Sequence, residues 1–145
     1  MEKKLISLVT PCYNEEGNVA KVYEQVKVVI EGQLNNYDYE HIFIDNASTD
    51  NTVEILKDIA KNDKNVKIIV NSRNFGHIRS PVYAMMQASG DVVVSLVADL
   101  QDPPEMLPIF LEKWSEGYDV VYGIRKKRKE NILKRSSYYW FYRML

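Results

Sequence analysis

The segment VVVSLVADLQDPPE, residues 92–105, decides the fold more than any other part of the chain. Its first half is an apolar run that predicts a buried strand, and the proline pair that follows predicts a turn. Asp99 and Gln101 stand between the two, directly past the carboxyl end of that strand. Oxygen ligands in this position suit a hard divalent cation that carries a diphosphate. The alternative is a helix N-terminus, with Asp102 as N-cap and Pro103 as first helical residue, and the sequence leaves both open.

The rest of the chain alternates strands of this kind with helical patterns. Short apolar runs predict strands at residues 5–10, 41–45, 66–70, 92–97 and 120–123, with helices between them. Ser80 and Pro81 fit an N-cap and a first helical residue, so we expect the third helix to begin there. Gly117 is expected to end the fourth helix. The predicted fold class is α/β, with a mostly parallel sheet covered by helices on both faces.

Composition limits the class of protein. A chain of 145 residues with 46% hydrophobic content forms one domain with a core. Its single cysteine, Cys12, excludes an internal disulfide and fits a reducing compartment, and the absence of an apolar run of about 18 residues predicts a soluble or peripheral protein. A net charge of -1 does not suggest nucleic acid as a partner. Residues 125–143, however, are strongly basic and contain only Glu130 as an acid, which indicates an anionic surface.

Polar clusters follow the carboxyl ends of four predicted strands, where open α/β sheets bind ligands. They are residues 11–16 (PCYNEE), 45–50 (DNASTD), 71–77 (NSRNFGH) and 99–102 (DLQD). Turn and cap chemistry explains any one of them. Four clusters on one edge form a rim of carboxylates and amides that exceeds what capping requires. The rim therefore predicts a shared ligand.

The same segments, taken in order, resemble the family 2 glycosyltransferases. The motifs are PCYNEE, DNASTDNT, RNFGH, ADLQDPPE and GYDVVYGIRKKR, at residues 11–16, 45–52, 73–77, 98–105 and 117–128. The similarity runs from about Leu5 to the end and is greatest to the branch that moves a sugar from a nucleotide to a polyprenyl or dolichyl phosphate. It implies a GT-A fold over residues 1–124, followed by a basic-aromatic segment, 125–145, that faces a membrane or the acceptor.

The resemblance also implies the ligands and the residues that bind them. The donor is expected to be a UDP- or GDP-sugar, with Mg or Mn on its diphosphate, and the acceptor a polyprenyl phosphate. The implied nucleotide-binding residues are Pro11, Tyr13, Glu15, Asp45, Asn46 and Asp99, with Asp45 accepting a hydrogen bond from the base. Asp99 and Gln101 are expected to hold the metal and, with Arg125 on a phosphate, to serve catalysis. His77 lies in an exposed loop by pattern, and Asp102 is the candidate base.

Three departures from the family pattern leave alternatives open. Val97 stands where the family has the first Asp of Asp-Ala-Asp-Leu-Gln, and Asn46 and Ala47 replace the second Asp and the Gly of Asp-Asp-Gly-Ser. Residues 77–81 intervene where a small-residue helix start is usual. One alternative is a nucleotide-sugar-binding module with little or no turnover, and another is an interaction domain whose polar rim is only turns.

The expected location follows from the acceptor. A lipid phosphate must be met at a membrane surface, so we expect a cytoplasmic protein that is peripheral at the inner face of an anionic membrane. The sequence leaves open whether the full-length protein is membrane-anchored and whether the chain forms a homo-oligomer.

Overall fold

The computed structural model describes residues 3–124 of the protein. Strands and helices alternate along this part of the chain, as the hydrophobic periodicity predicts. The elements are β1 (Leu5–Cys12), α1 (Val19–Gln33), β2 (Asp38–Asp45), α2 (Thr52–Asn62), β3 (Val66–Val70), α3 (Gly76–Met86), β4 (Val92–Ser95), a 3-10 helix (Pro104–Met106) and α4 (Leu107–Ser115). No helix within these residues has the length and hydropathy needed to cross a bilayer.

The four strands form one parallel sheet in the order β3-β2-β1-β4. The chain builds the sheet in one direction from β1 to β3 and then returns to the other side of β1 to add β4. Because crossovers between parallel strands are right-handed, this reversal puts α3 on the opposite face from α1 and α2. The α/β fold with helices on both faces is thus confirmed. The reversal also places a topological switch point between the carboxyl ends of β1 and β4.

The core is apolar on both faces of the sheet. On the face covered by α3, Ala84 packs with Val9, Ile42 and Ile44. Among residues 3–124, the largest side chain with no exposed surface is Phe43, which stacks on His41 with ring centroids 4.0 Å apart. His41 is itself buried, and burial lowers its pKa to about 3, so it is a neutral core residue at physiological pH.

A buried carboxylate joins the start of β4 to the rest of the sheet. Oε1 of Glu40 accepts hydrogen bonds from Ser7 Oγ (2.5 Å) and from the backbone N–H of Ser89 (2.7 Å), and Oε2 accepts one from Lys67 Nζ. Burial alone raises the pKa of Glu40, but these hydrogen bonds outweigh burial and lower it below its ordinary value. A Cβ at Gly90 would lie 2.6 Å from Ser7 Oγ, so only glycine lets the chain pass this network into β4.

Three local predictions are wrong, the first two because a neighbouring signal was stronger. The third helix begins at Gly76, and Pro81 lies inside it, because Asn74 Oδ1 accepts a hydrogen bond from Gly76 N (2.8 Å) and starts the helix earlier. Pro103 is extended (ψ 132°) and the 3-10 helix starts only at Pro104, since a residue before proline is disfavoured in helical conformation. Asp102 and Pro103 therefore do not start a helix.

The third wrong prediction is the strand at residues 120–123. The described residues from Tyr118 to Ile124 form no strand, and Val120, Tyr122 and Ile124 are between 72% and 77% exposed. An alternating apolar pattern becomes a strand only when a neighbour satisfies its backbone hydrogen bonds. Gly117 does end α4, with the positive φ (101°) expected of a helix C-terminus.

The chain divides into two compact units, one ending at Glu112 and one beginning at Lys113. Only residues 113–124 of the second unit are described. The division predicted between 1–124 and 125–145 falls at the limit of the described residues and stays a prediction.

Candidate functional site

The loops after β1 and β2 are bonded to each other at the carboxyl edge of the sheet. Asn14 has a left-handed backbone (φ 55°), a conformation that Asn tolerates better than most residues. Its N–H donates to Ser48 Oγ (2.9 Å), and its Oδ1 accepts from the N–H of Thr49 (2.8 Å). The backbone N–H of Glu15 donates to Thr52 Oγ1 (2.8 Å). The two polar clusters therefore form one connected rim.

The same pairing continues on the outer side of the rim. Glu16 N donates to Asp50 Oδ2 (3.1 Å), and Glu16 Oε2 accepts from Asn51 N (3.0 Å). In the sequence these residues indicate only turns and helix caps. Their pairing with residues 34 and 35 positions away was therefore not predicted. A hint was available in Asn14, because Asn directly after a strand often adopts a positive φ.

Asp45 is the most unusual polar group of the rim. It is the last residue of β2, pairs with Cys12 of β1, and has no exposed surface. Its Oδ2 accepts a hydrogen bond from Ser48 N (3.0 Å), but its Oδ1 has no partner in the described part of the chain. A buried acceptor without a partner is costly, and an N–H donor that reached this oxygen would remove the cost.

Negative charge gathers around the end of β1. The pKa of the buried Cys12 thiol is raised first by burial and then by the carboxylates of Asp45 and Glu15. Cys12 is therefore a protonated core residue and not a nucleophile. Asp45 pairs with Cys12 and Glu15 follows Cys12 by three residues, so both carboxylates lie near the end of β1, as the sequence predicts from the parallel strand ends.

Asn46 connects the rim to the start of α3. Its Nδ2 donates to Asn74 Oδ1 (2.9 Å) and to the Gly76 carbonyl (3.3 Å), and its Oδ1 accepts from Phe75 N (2.9 Å) and Asn71 Nδ2 (3.2 Å). An amide both donates and accepts here, which a carboxylate cannot do. The departure from the family's Asp at this position thus has a structural reason. These bonds occupy both polar atoms of the Asn46 side chain with partners inside the protein. A role of Asn46 in nucleotide binding therefore stays a prediction.

Ala47 carries backbone strain in the loop that follows. Its φ is 65°, in the left-handed region that costs about 1–2 kcal/mol for a residue with a Cβ. The conformation is held because the next residue, Ser48, bonds both Asp45 and Asn14. The loop thus keeps a glycine-like geometry without glycine.

The segment after β4 presents the carboxylate of Asp99 to solvent. β4 ends at Ser95, two residues before the end of the predicted run, and Ala98 and Asp99 already form a turn. Leu96 and Ala98 are buried, whereas Val97 and Asp99 are exposed. Asp99 Oδ1 accepts a hydrogen bond from Gln101 N (3.0 Å) across Leu100, whose φ is 57°. Val97, the exposed residue two positions before Asp99, offers no ligand to a cation.

The oxygen ligands after β4 suit a cation that is also bound to a diphosphate. They do not form a complete metal site by themselves. Within residues 3–124 no group of three or more His, Cys, Asp or Glu side chains is arranged to hold a metal ion. Magnesium at phosphate-binding sites of proteins is held by one or two carboxylates, by ligand phosphates and by water. Asp99 is an exposed carboxylate of the type that such a site uses.

The remaining predicted site residues are distributed around this edge. Pro11 lies within β1 opposite Ile44, and Tyr13 is 48% exposed just past the strand. Glu15 Oε2 accepts from Asn18 Nδ2 (2.7 Å). His77 is exposed, but in the first turn of α3 and not in a loop. Arg125 lies outside the described residues.

Comparison with known proteins gives the family. Residues 7–144 match the family described as Glycosyl transferase family 2, and the chain belongs to this family. It is 44% identical over 140 residues to the protein named Uncharacterized glycosyltransferase YkcC of Bacillus subtilis, covering 96% of this chain and 43% of that one. It is 38% identical to the bactoprenol glucosyl transferase of Shigella phage SfV, covering 96% of this chain and 45% of the relative. The chain spans less than half the length of these relatives.

Solved structures share the fold. The mannosyltransferase PcManGT of Pyrobaculum calidifontis, in complex with GDP-Man and Mn2+, superposes with a TM-score of 0.59 at 20% identity, over 77% of this chain and 32% of that one. TarS of S. aureus, in complex with UDP, gives a TM-score of 0.58 at 21% identity, over 87% and 40%. The expected GT-A fold is confirmed by these similarities.

Proposed function

We propose that this member of glycosyl transferase family 2 transfers a sugar from a UDP- or GDP-sugar to a polyprenyl phosphate, with inversion and with the help of a divalent cation. The observation that carries the proposal is the unpartnered, fully buried Oδ1 of Asp45 at the ligand-binding edge of the sheet. Uracil and guanine each present a ring N–H that can donate a hydrogen bond to this oxygen. Adenine has no ring N–H on its base-pairing edge and offers only its exocyclic amino group, so the proposal favours a uracil or guanine nucleotide over an adenine one.

The rim around Asp45 supports a donor bound across the strand ends. The base lies beside Asp45 and Tyr13, and the diphosphate extends toward the loop after β4, across the switch point. Asp99 lies in that loop with its side chain exposed. A bound Mg or Mn would stabilise the negative charge that develops on the leaving diphosphate. Asp99 and Gln101 would hold it there, and the hydrogen bond from Gln101 N orients the Asp99 carboxylate.

The acceptor step requires little acid–base chemistry. An oxygen of the polyprenyl phosphate attacks the anomeric carbon, and the bond from that carbon to the nucleoside diphosphate breaks with inversion. Because the phosphate is already anionic near neutral pH, the protein must position and desolvate it more than deprotonate it. Relatives named bactoprenol glucosyl transferase and undecaprenyl-phosphate 4-deoxy-4-formamido-L-arabinose transferase support this acceptor class.

The basic-aromatic segment, residues 125–145, belongs to the proposal although it lies outside the described residues. We infer that it meets an anionic membrane surface and that Arg125 contacts a phosphate. Each basic residue near an anionic bilayer adds about 1 kcal/mol, and salt screens this attraction. A chain cut before Arg125 is therefore expected to lose much of its binding to anionic vesicles at low salt.

Two measurements test the function. Calorimetric titration with UDP, GDP and ADP, with and without manganese, is expected to show binding of UDP or GDP, strengthened by manganese, and weaker binding of ADP. Incubation of the preferred labelled nucleotide sugar with undecaprenyl phosphate is expected to give a glycolipid of inverted anomeric configuration, and uncharged undecaprenol should give none. Nucleotide binding without transfer in the full-length protein would favour a binding module, and absence of both would favour an interaction domain.

A further inference from the structure

One face of α3 is apolar and open to solvent. Ile78, Val82 and Met86 are 65%, 49% and 76% exposed and follow one another at helical spacing. Tyr83, 51% exposed, lies to one side of this row, and Phe75, 38% exposed, stands in line with it directly before the helix. At 3.6 residues per turn these side chains span an arc of about 140°. The opposite side of the helix carries the buried Ser80 and Ala84, so packing on the sheet does not account for this face.

The charged side chains of the segment that contains α3 have one sign. Residues 71–90 contain no Asp or Glu, although the chain has 20 acidic residues in all. They do contain Arg73, His77 and Arg79. Arg79 lies within the apolar arc, is exposed, and forms no salt bridge with any residue from 3 to 124. Arg73 stands over the ring of Phe75, 4.9 Å from its centroid.

We propose that this face of α3, formed by Phe75, Ile78, Arg79, Val82, Tyr83 and Met86, docks on an anionic lipid bilayer. An amphipathic helix with apolar and aromatic side chains and basic residues, but no acidic ones, suits the boundary between headgroups and acyl chains. The long side chain of Arg79 reaches from the apolar arc to a lipid phosphate. A second copy of the chain is a poorer occupant, because pairing two such faces would oppose arginines with no acid to offset them.

The docking face is rigidly attached to the candidate site. Asn46 accepts the N–H of Phe75 (2.9 Å) and donates to the carbonyl of Gly76 (3.3 Å), which fixes the start of α3 to the end of β2. A bilayer under α3 would therefore lie beside the rim that contains Asp45. The inference goes beyond the proposed function and does not depend on it, since vesicle binding requires neither nucleotide nor transfer.

A fluorescent label on α3 tests the docking by position. The full-length variant Met86→Cys carries a nitrobenzoxadiazole label, which the buried, protonated Cys12 does not take up. With vesicles of phosphatidylglycerol and phosphatidylcholine, its emission is expected to shift to the blue and to intensify, and with pure phosphatidylcholine to stay unchanged. The matched control is Val28→Cys on α1, an apolar position that is 68% exposed, where no change is expected.

Charge removal gives the second arm of the test. Arg79→Gln is expected to weaken partition onto phosphatidylglycerol vesicles about fivefold, whereas Lys21→Gln, an exposed cation on α1, leaves it unchanged. Three results would overturn the docking of α3 on lipid. They are co-sedimentation with unchanged emission at position 86, an equal response at position 28, and a concentration-dependent shift at position 86 without vesicles, which would indicate self-association.

Discussion

Replacing Asp45 by Asn is expected to separate ligand binding from folding. The asparagine Oδ1 can still accept the hydrogen bond from Ser48 N that Asp45 Oδ2 accepts at 3.0 Å. The amide NH₂ then takes the place of the unpartnered Oδ1. This exchanges an acceptor for a donor at the point where the base N–H arrives, so the ligand loses a hydrogen bond and meets a second donor.

The size of the effect follows from these contacts. A hydrogen bond to a charged group contributes about 1.5–3 kcal/mol, which corresponds to about 10- to 150-fold in Kd. The stability of the free protein should change by no more than about 1 kcal/mol, because the bond to Ser48 is kept and one unpartnered polar atom replaces another. Binding therefore falls while folding does not.

Calorimetry with UDP and GDP measures the change in Kd, and urea unfolding of the free protein measures the change in stability. The matched control is Asp38→Asn, at the exposed start of the same strand, which should leave both unchanged. If UDP and GDP bind the Asp45→Asn variant as tightly as the wild type, the base is not bound by this oxygen. A loss of binding that tracks an equal loss of stability would likewise refute the reasoning, because Asp45 would then be only a structural residue.

Other substitutions test the metal, the strained loop and the buried network. Asp99→Asn is expected to abolish the manganese-dependent gain in nucleotide affinity. Val97→Asp is expected to strengthen it, since position 97 is exposed two residues before Asp99 and would add a second carboxylate. If manganese leaves the nucleotide affinity of the wild type unchanged, both predictions are contradicted. Ala47→Gly should raise the free energy of unfolding by about 1 kcal/mol, because glycine adopts the positive φ without strain, and a lower urea midpoint would speak against it. Glu40→Gln should cost about 1–3 kcal/mol at pH 7. Because folding lowers the pKa of Glu40, the stability that the Glu40 carboxylate contributes is present above the ordinary pKa of 4.5 and is lost as the pH falls through the lower folded value. If Glu40→Gln lowers the free energy of unfolding equally at pH 7 and pH 3, this pH dependence is excluded.

Local signals in the sequence set much of the secondary structure. The run at residues 66–70 is apolar and bounded by polar residues, and β3 occupies those five positions. β1 and β2 begin or end a few residues beyond the predicted runs, because parallel pairing extends a strand for as long as its neighbour continues. Where two local signals compete, as at Pro81 and Pro103, the sequence alone does not say which will prevail.

The edge at which the candidate site lies could be predicted, because parallel strands end at one edge wherever they stand in the sheet. Asp45 and Glu15 therefore had to lie near each other, and the loop containing Asp99 at the same edge. The family motifs added roles for these residues. Nothing in the motifs indicated that one oxygen of Asp45 would be buried without a partner.

Only the tertiary structure decided which polar groups hold the fold and which are left for a ligand. The side chain of Asn46 is bonded to Asn71, Asn74 and the start of α3, 25 to 30 positions away, whereas Asp45 beside it keeps one acceptor that no group within residues 3–124 pairs with. Both are short polar residues at a strand end, so the sequence alone does not distinguish them. Their difference arises because hydrogen-bond partners are set by the strand order β3-β2-β1-β4, which brings loops together irrespective of their separation along the chain.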